Sequence, residues 1–377
     1  MTQQIATDPT LHNNNLCWQC NGKTFWGKAS VILESVTSNQ PVHFYCYDRE
    51  FDAFDWRQEP HQTWDELMAI RCHQLRDKYD YLRLWYSGGY DSHTMLMKFV
   101  ELGIHVDEIF TWYSSATNTY NDITNAEVRE GTVPTLQRLS SLPALHNTKV
   151  TVINMDHQSY KTYYEDPDWL FNYNVSVNEL RNVNSINMYR VAPQLWQPHN
   201  EGKKVANVMG FEKPRLIKHK NEFYTYFWDS CFSNIIGSIC LEPFYVTGDL
   251  PELHAKQSHM VKNWIKYQYG NPEYINHFFR HDELGHFNDE WNLNTGRIPV
   301  LNPVHRVWVG KRYDLRGEKQ LVEVNKAKQF SESAQIVDNW RNGVLRLQAI
   351  ASKWFPHGDA LNYHAHGVMS KKYSVGT

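Results

Sequence analysis

Apolar and polar positions recur with different periods along this chain, and the changes of period mark its elements. Thr63-Trp64-Asp65-Glu66 has the form of a capping box, and Leu67, Ile70 and Leu75 follow at helical spacing. A helix is predicted from Thr63 to about Asp77. Tyr81-Leu82-Arg83-Leu84-Trp85-Tyr86 reads as a strand, and Ser87-Gly88-Gly89-Tyr90 as a turn. From Asp91, the positions Met95, Leu96, Phe99 and Val100 predict a second helix that stops at Gly103. A strand over Glu108–Tyr113 completes a βαβ unit, which implies a parallel sheet and a right-handed crossover.

Further on the pattern is thinner. Asp122 to Arg138 predicts a helix broken between Gly131 and Pro134. Lys149–Asn154 and Val205–Met209 predict strands, the second ending in Gly210. Leu216–His219 and Phe223–Trp228 suit a hairpin across Lys220-Asn221. Residues 156–200 are rich in Tyr, Asn and Trp and show no firm period. Before the capping box, Val42–Tyr47 is strand-like. After about residue 250 the pattern is mostly helical and ends in a polar tail. The expected fold is α/β, a Rossmann-like parallel sheet flanked by helices. The expected organisation is an N-terminal extension (1–60), a central domain (61–248) and a mostly helical C-terminal region (249–377).

Composition narrows the partners. Lys and Arg number 38 against 41 Asp and Glu, a net charge of −3, so nucleic acid is not favoured by charge. Six Cys among 377 residues are too few for a disulfide scaffold. No signal peptide is visible, and the longest charge-free stretch of the apolar middle, Ser230–Leu241, is too short to span a bilayer. The expectation is a cytoplasmic protein without a membrane partner. The 14 Trp and 22 Tyr suit either a large core or stacking on a base.

The candidate chemistry sits in Ser87-Gly88-Gly89-Tyr90-Asp91-Ser92. A glycine pair lets backbone approach a ligand closely. The helix that follows directs amides and a positive dipole end at the turn, which makes a phosphate site. Ser87 and Ser92 add hydroxyl donors. Asp91 would repel phosphate unless a cation lay between them, so the loop implies Mg²⁺ with Asp91 as a ligand.

The run Tyr86–Ser92 resembles the SGGxDS loop of the PP-loop ATP pyrophosphatases, also called adenine nucleotide alpha hydrolases. The resemblance covers roughly residues 78–230. The whole chain looks most like proteins similar to phosphoadenosine phosphosulfate (PAPS) reductases in some viral and bacterial genomes. It implies ATP and Mg²⁺ as ligands, pyrophosphate in the loop, and attack of an acceptor oxygen on the α-phosphorus, releasing pyrophosphate. It also implies adenine near the end of the second strand, at Thr111, Trp112 and Tyr113. Lys213 and Arg215 follow the strand that ends in Gly210. They are candidate cations for the same phosphates, or charges of a solvated loop. Glu212 is a candidate partner of Lys213 or the metal.

Other motifs weigh less. Gly22–Ala29 nearly matches a phosphate loop of the Walker type, but Ala29 stands where a hydroxyl is needed. Cys17, Cys20, His43 and Cys46 form a CxxC…HxxC array that suits Zn²⁺, although strand alternation puts His43 and Cys46 on opposite faces. No Cys follows Cys240, which disfavours PAPS reductase activity, and Thr2 disfavours a glutaminase of the asparagine-synthetase type. Lys371 and Lys372 are candidates to fold over the phosphates or to lie in a solvated tail. His254, Gln257 and His259 are polar positions of one helix.

The expected activity is ATP-dependent adenylation of an acceptor, ligase- or transferase-like, with AMP and pyrophosphate as products. One alternative is an RNA or nucleoside sulfurtransferase, which gains if the Zn²⁺ array forms and Cys231 or Cys240 reaches the ATP site. The other is a non-catalytic ATP-binding protein.

Overall fold

The computed structural model describes residues 10–114, 127–156, 161, 165–172, 189, 192–211, 215–219, 221–232, 236–268, 285–286, 334–355 and 367–377. Strands β1 (Leu16–Cys20), β2 (Lys23–Phe25) and β3 (His43–Cys46) form a small antiparallel sheet in the order β2-β1-β3. Helices α1 (Lys28–Ser38) and α2 (Asp48–Asp52) accompany it. The segment resembling a Walker loop is thus β2 and the start of α1. Its Lys28 is buried and paired with Asp229.

Helix α3 (Trp64–Lys78) begins on the expected box. Thr63 Oγ1 accepts from Glu66 N at 3.2 Å, and Thr63 N donates to Glu66 Oε2 at 2.7 Å. Its buried face is Trp64, Leu67, Met68, Arg71, Cys72 and Leu75. Ile70, expected on that face, turns outward at 38% exposure. Met68, Cys72 and Leu75 follow Trp64 at intervals of four, four and three, whereas Ile70 lies two residues from both Met68 and Cys72, on the far side of the helix from them.

The βαβ unit follows as expected. Strand β4 (Tyr81–Trp85) leads through the glycine turn into α4 (Tyr90–Glu101) and then β5 (Glu108–Ser114), parallel to β4. A Schellman motif ends α4, with Ile104 N bonded to Phe99 O at 3.0 Å and Gly103 N to Val100 O at 3.1 Å. The expected break at Gly131–Pro134 is corrected: a π-helix over Glu127–Thr132 runs without interruption into α5 (Val133–Leu139), which takes Pro134 in its first turn. The start of that expected helix, 122–126, and most of 157–197 lie outside the described residues.

Strands β6 (Lys149–Met155), β7 (Val205–Met209) and β10 (Leu241–Pro243) complete a five-stranded, wholly parallel sheet, ordered β10-β7-β4-β5-β6. The order reverses direction between β4 and β7. In open α/β sheets, the crevice beyond the carboxyl ends at such a reversal is where ligands bind. Apolar side chains fill both faces. Leu82, Leu84, Ile109 and Val208 join Met95, Leu96 and Phe99 of α4 on one. Phe110, Ile153 and Met155 join Trp340, Val344 and Leu347 of a later helix on the other. This two-sided cover explains why the strands read as apolar runs rather than alternation.

Between β7 and β10, β8 (Arg215–His219) and β9 (Glu222–Tyr226) form the expected hairpin. Helix α6 (Pro251–Gln268) packs against it. A two-residue strand β11 (Gly285–His286), helix α7 (Ala334–Ile350) and strand β12 (Tyr373–Gly376) follow. The polar tail expected at the end is therefore corrected. Tyr373 and Val375 are buried, and β12 pairs with β9 in a four-stranded sheet ordered β11-β8-β9-β12. One apolar cluster runs from Leu16 to Val375, so the chain divided at 60 and 248 shares a core across both divisions.

The other polar residues of α6 are structural. His254 is fully buried, 4.5 Å from the Phe227 ring and 6.1 Å from the Trp56 ring. His259 Nε2 meets Trp56 O at 2.9 Å, and Gln257 bonds Leu253 O. Burial drives His254 down to about 3. The unfolded chain takes up this proton below about pH 6.5, and the folded chain does not until near pH 3. Stability is therefore expected to be full above that window and to fall as pH drops through it, by ~1.4 kcal/mol per pH unit for this group. Denaturant titrations at several pH values test this. His254→Leu should flatten the slope by about one proton.

Candidate functional site

The loop Ser87–Ser92 lies in the crevice where the strand order reverses. Strand β4 ends at Trp85, level with Met209 of β7, so the loop and Gly210 leave the sheet side by side. Gly88 takes φ +77°, a left-handed conformation suited to glycine. Gly89 caps α4, and the first intrahelical bond is His93 N to Gly89 O at 2.9 Å. The amides of residues 90–92 therefore have no acceptor within the helix. Ser92 Oγ accepts from Ser87 N at 3.2 Å, lies 3.1 Å from Ser87 Oγ, and donates to Gly89 O at 3.2 Å. Ser87 Oγ accepts from Gly89 N at 3.3 Å. The two hydroxyls thus brace the turn in this state, Ser87 exposed and Ser92 buried beneath it.

Three other segments converge on the loop. A Cβ on Gly210 would stand 3.1 Å from Asp91 O and 3.3 Å from Ser92 Cα, tighter than ordinary contact, so any side chain there would push the loop away from β7's exit. Tyr245, which follows β10, donates its hydroxyl to Asp91 O at 2.8 Å. Burial pushes the Tyr245 phenol well up, and the Asp91 charge adds to the shift. Thr132, at the end of the π-helix, donates to Ser87 O at 2.9 Å. Behind the loop, the buried Tyr86 and His93 meet at 2.8 Å. Sequence reasoning missed Thr132 and Tyr245. The Gly131–Pro134 stretch marked the segment that carries the first but not its contact, and nothing local marks the second.

Thr111, Trp112 and Tyr113 extend β5 past Phe110, whose carbonyl accepts from Tyr86 N at 2.8 Å. The expected adenine residues therefore share the loop's end of the sheet. Thr111 is buried, whereas Trp112 and Tyr113 are half-buried.

Arg215 does not lie in a loop after β7. It opens β8, half-buried, in register with Tyr226. Lys213 and Glu212 lie outside the described residues, as do the side chains of Tyr90 and Cys231. Lys371 is corrected: its ammonium lies 2.5 Å from Asp52 and 3.8 Å from Asp48, both at helix α2. Lys372, with Lys353, Trp354, Val368 and Met369, lines an open cavity of about 490 Å³ that no residue of the 87–92 loop lines.

The CxxC…HxxC residues occupy β1 and β3. Cys17 pairs with Tyr45 and donates to Asn14 O, and burial pushes its thiol up to about 12. Cys20, three residues on, faces the opposite side and bonds Gln40 O. His43 Nε2 meets Asp48 Oδ2 at 2.8 Å. The four side chains are not gathered at one point. Among the described residues, no group of three or more His, Cys, Asp or Glu is arranged to hold a metal. Cys240 precedes β10, so it lies toward the amino ends of the strands, away from the loop. Burial raises its thiol to about 11.

The loop's donor set is two hydroxyls, the first-turn amides of a twelve-residue helix and one carboxylate. That chemistry fits an anion accompanied by a divalent cation. A single carboxylate suits Mg²⁺, which takes its remaining ligands from phosphate oxygens and water. Comparison of the chain with protein-family models and with curated protein sequences finds no match. Among the described residues, no helix is long and apolar enough to cross a membrane.

Proposed function

We propose that this chain is an ATP pyrophosphatase that adenylates an acceptor and releases pyrophosphate. The observation that carries the reading is the placement of Ser87–Ser92 at the sheet's reversal, packed against Gly210 of the neighbouring strand exit. In this reading the amides of residues 90–92 and the Ser87 and Ser92 hydroxyls hold pyrophosphate. Asp91 holds Mg²⁺, which when bound neutralises charge on the phosphate oxygens. Thr111, Trp112 and Tyr113 flank the adenine. Lys213 and Arg215 are the proposed cations for the departing pyrophosphate. The chain's task is positioning and charge stabilisation, the larger part of catalysis in phosphoryl-type transfers. The acceptor is a carboxylate or a nucleobase carbonyl. The proposed setting is the cytoplasm, which suits the five free cysteines among the described residues.

The test is incubation with Mg²⁺, ATP and a pool of amino acids, nucleosides and RNA. AMP and pyrophosphate are the expected products. Asp91→Asn keeps the side-chain shape and removes the charge. It should lower turnover by ~100-fold or more, the scale of losing one electrostatic group at a reacting centre. ADP and phosphate as products would overturn the reading. ATP binding without turnover would favour the non-catalytic alternative.

A further inference from the structure

Thr132 is fully buried and comes from the crossover between β5 and β6, and it contacts the loop at both Ser87 and Gly88. Its Oγ1 donates to Ser87 O at 2.9 Å. The same oxygen stands 2.5 Å from where a Cβ on Gly88 would be, and its Cα is 3.3 Å from that point. The side chain therefore lies flat against the Ser87–Gly88 peptide. It is delivered there by a single π-helical turn, a rare geometry that is frequent at functional sites.

The consequence follows from peptide planarity. In a trans peptide the C=O and N–H point in opposite directions. With the Ser87 carbonyl tied to Thr132, the Gly88 N–H must point away from Thr132. A glycine at this position permits the peptide to flip cheaply. A flip would exchange the N–H donor for a carbonyl oxygen, which repels an anion.

We propose that Thr132 is a positioning residue that locks the Ser87–Gly88 peptide in the orientation that offers its N–H to pyrophosphate. The inference rests on the reading of this loop as a phosphate site, and it names the residue that keeps the site in its anion-accepting state. It also ties that state to the crossover that leaves β5 after Thr111–Tyr113, where adenine is proposed to bind.

The test uses the full chain and two readouts. Thr132→Val keeps the shape and removes the donor, whereas Thr132→Ser keeps the donor. Without ligand, amide hydrogen exchange of the peptide spanning 86–92 should be about fivefold faster in T132V and unchanged in T132S, the scale of one lost hydrogen bond. By calorimetry, inorganic pyrophosphate with Mg²⁺ should bind about tenfold more weakly to T132V and within about twofold of normal to T132S. Thermal midpoints should stay close to the wild-type value, which separates positioning from folding. Thr132→Ala serves as the second variant if T132V does not fold, with the same expectation. Unchanged exchange in the variant overturns the lock, whatever happens to binding. Faster exchange in T132V, with a wild type that binds no pyrophosphate, overturns the phosphate reading and leaves the peptide lock standing.

Discussion

Gly88→Ala is expected to weaken binding of Mg²⁺-ATP and of pyrophosphate by ~100-fold or more, which corresponds to about 2.7 kcal/mol. Two costs add. An alanine at φ +77° pays about 1–2 kcal/mol for the left-handed conformation. Its methyl would also stand 2.5 Å from Thr132 Oγ1, far inside contact distance. Thr132 is buried and bonded to Ser87 O, so it cannot swing away without losing that bond. The loop must move instead, and the donors move with it. The damage is local, so the unfolding midpoint should fall far less than the affinity. Gly88→Ala with Thr132→Ala removes the 2.5 Å clash but keeps the strain and loses the Ser87 bond, so it should bind no better than Gly88→Ala. Gly89→Ala, at an ordinary φ of −72°, should be much milder. Calorimetry on these three variants and the wild type checks the argument. A G88A protein that binds pyrophosphate normally would show that the loop does not hold the anion.

The largest stability loss is expected at the centre of the parallel sheet. Arg83 and Glu108 are both fully buried, and Arg83 Nε lies 2.6 Å from Glu108 Oε2. Arg83 also reaches Tyr189 Oη at 2.5 Å and Leu195 O at 3.0 Å, while Thr151 donates to Glu108. Burial alone would raise the Glu108 carboxyl. The Arg83 charge and the bonds from Thr151 and Arg83 outweigh it and hold the group below its ordinary value. Its contribution is therefore present above the ordinary carboxylate range and lost as pH falls through the depressed value. Arg83→Met strands a buried carboxylate and should cost about 3–5 kcal/mol in denaturant unfolding. Arg83→Met with Glu108→Leu replaces the pair by apolar side chains and should recover most of it. If the double variant is no better than the single one, the pair's geometry rather than its charge is what the core needs.

These residues also mark where the sequence could be read. The β4–loop–α4–β5 unit was legible because every signal in it is local: an apolar run, a glycine pair, a helical period and a terminating Gly103. The Thr63–Glu66 box was legible for the same reason. Arg83 was passed over because a charge inside a buried strand is interpretable only with its partners. Those lie in register on neighbouring strands, Asn207 on β7 and Glu108 on β5. Helix α1 was hidden by a segment that resembled a phosphate loop, and β12 by Lys371 and Lys372 ahead of a five-residue end in which only Tyr373 and Val375 are apolar. At the site, Ser87–Ser92 was visible as a motif. Thr132 and Tyr245 were not, because their partners are the loop's backbone atoms and backbone atoms leave no trace in a sequence.

Strand β12 has a consequence for how the molecule is made. The hairpin edge at β9 is held by Ser370, whose hydroxyl accepts from Phe227 N across 143 residues, and Lys262 and Lys266 of α6 bond the carbonyls of Val375 and Thr377. During synthesis from the amino end, the parallel sheet with its glycine loop emerges complete while that edge still lacks its neighbour. An unpaired strand edge is an invitation to pair with another chain. Contacts of such long sequence separation also form slowly. The growing chain therefore passes through an interval in which the crevice at its strand reversal is assembled and its flank is still adhesive. That interval ends only when the last of these strands leaves the ribosome.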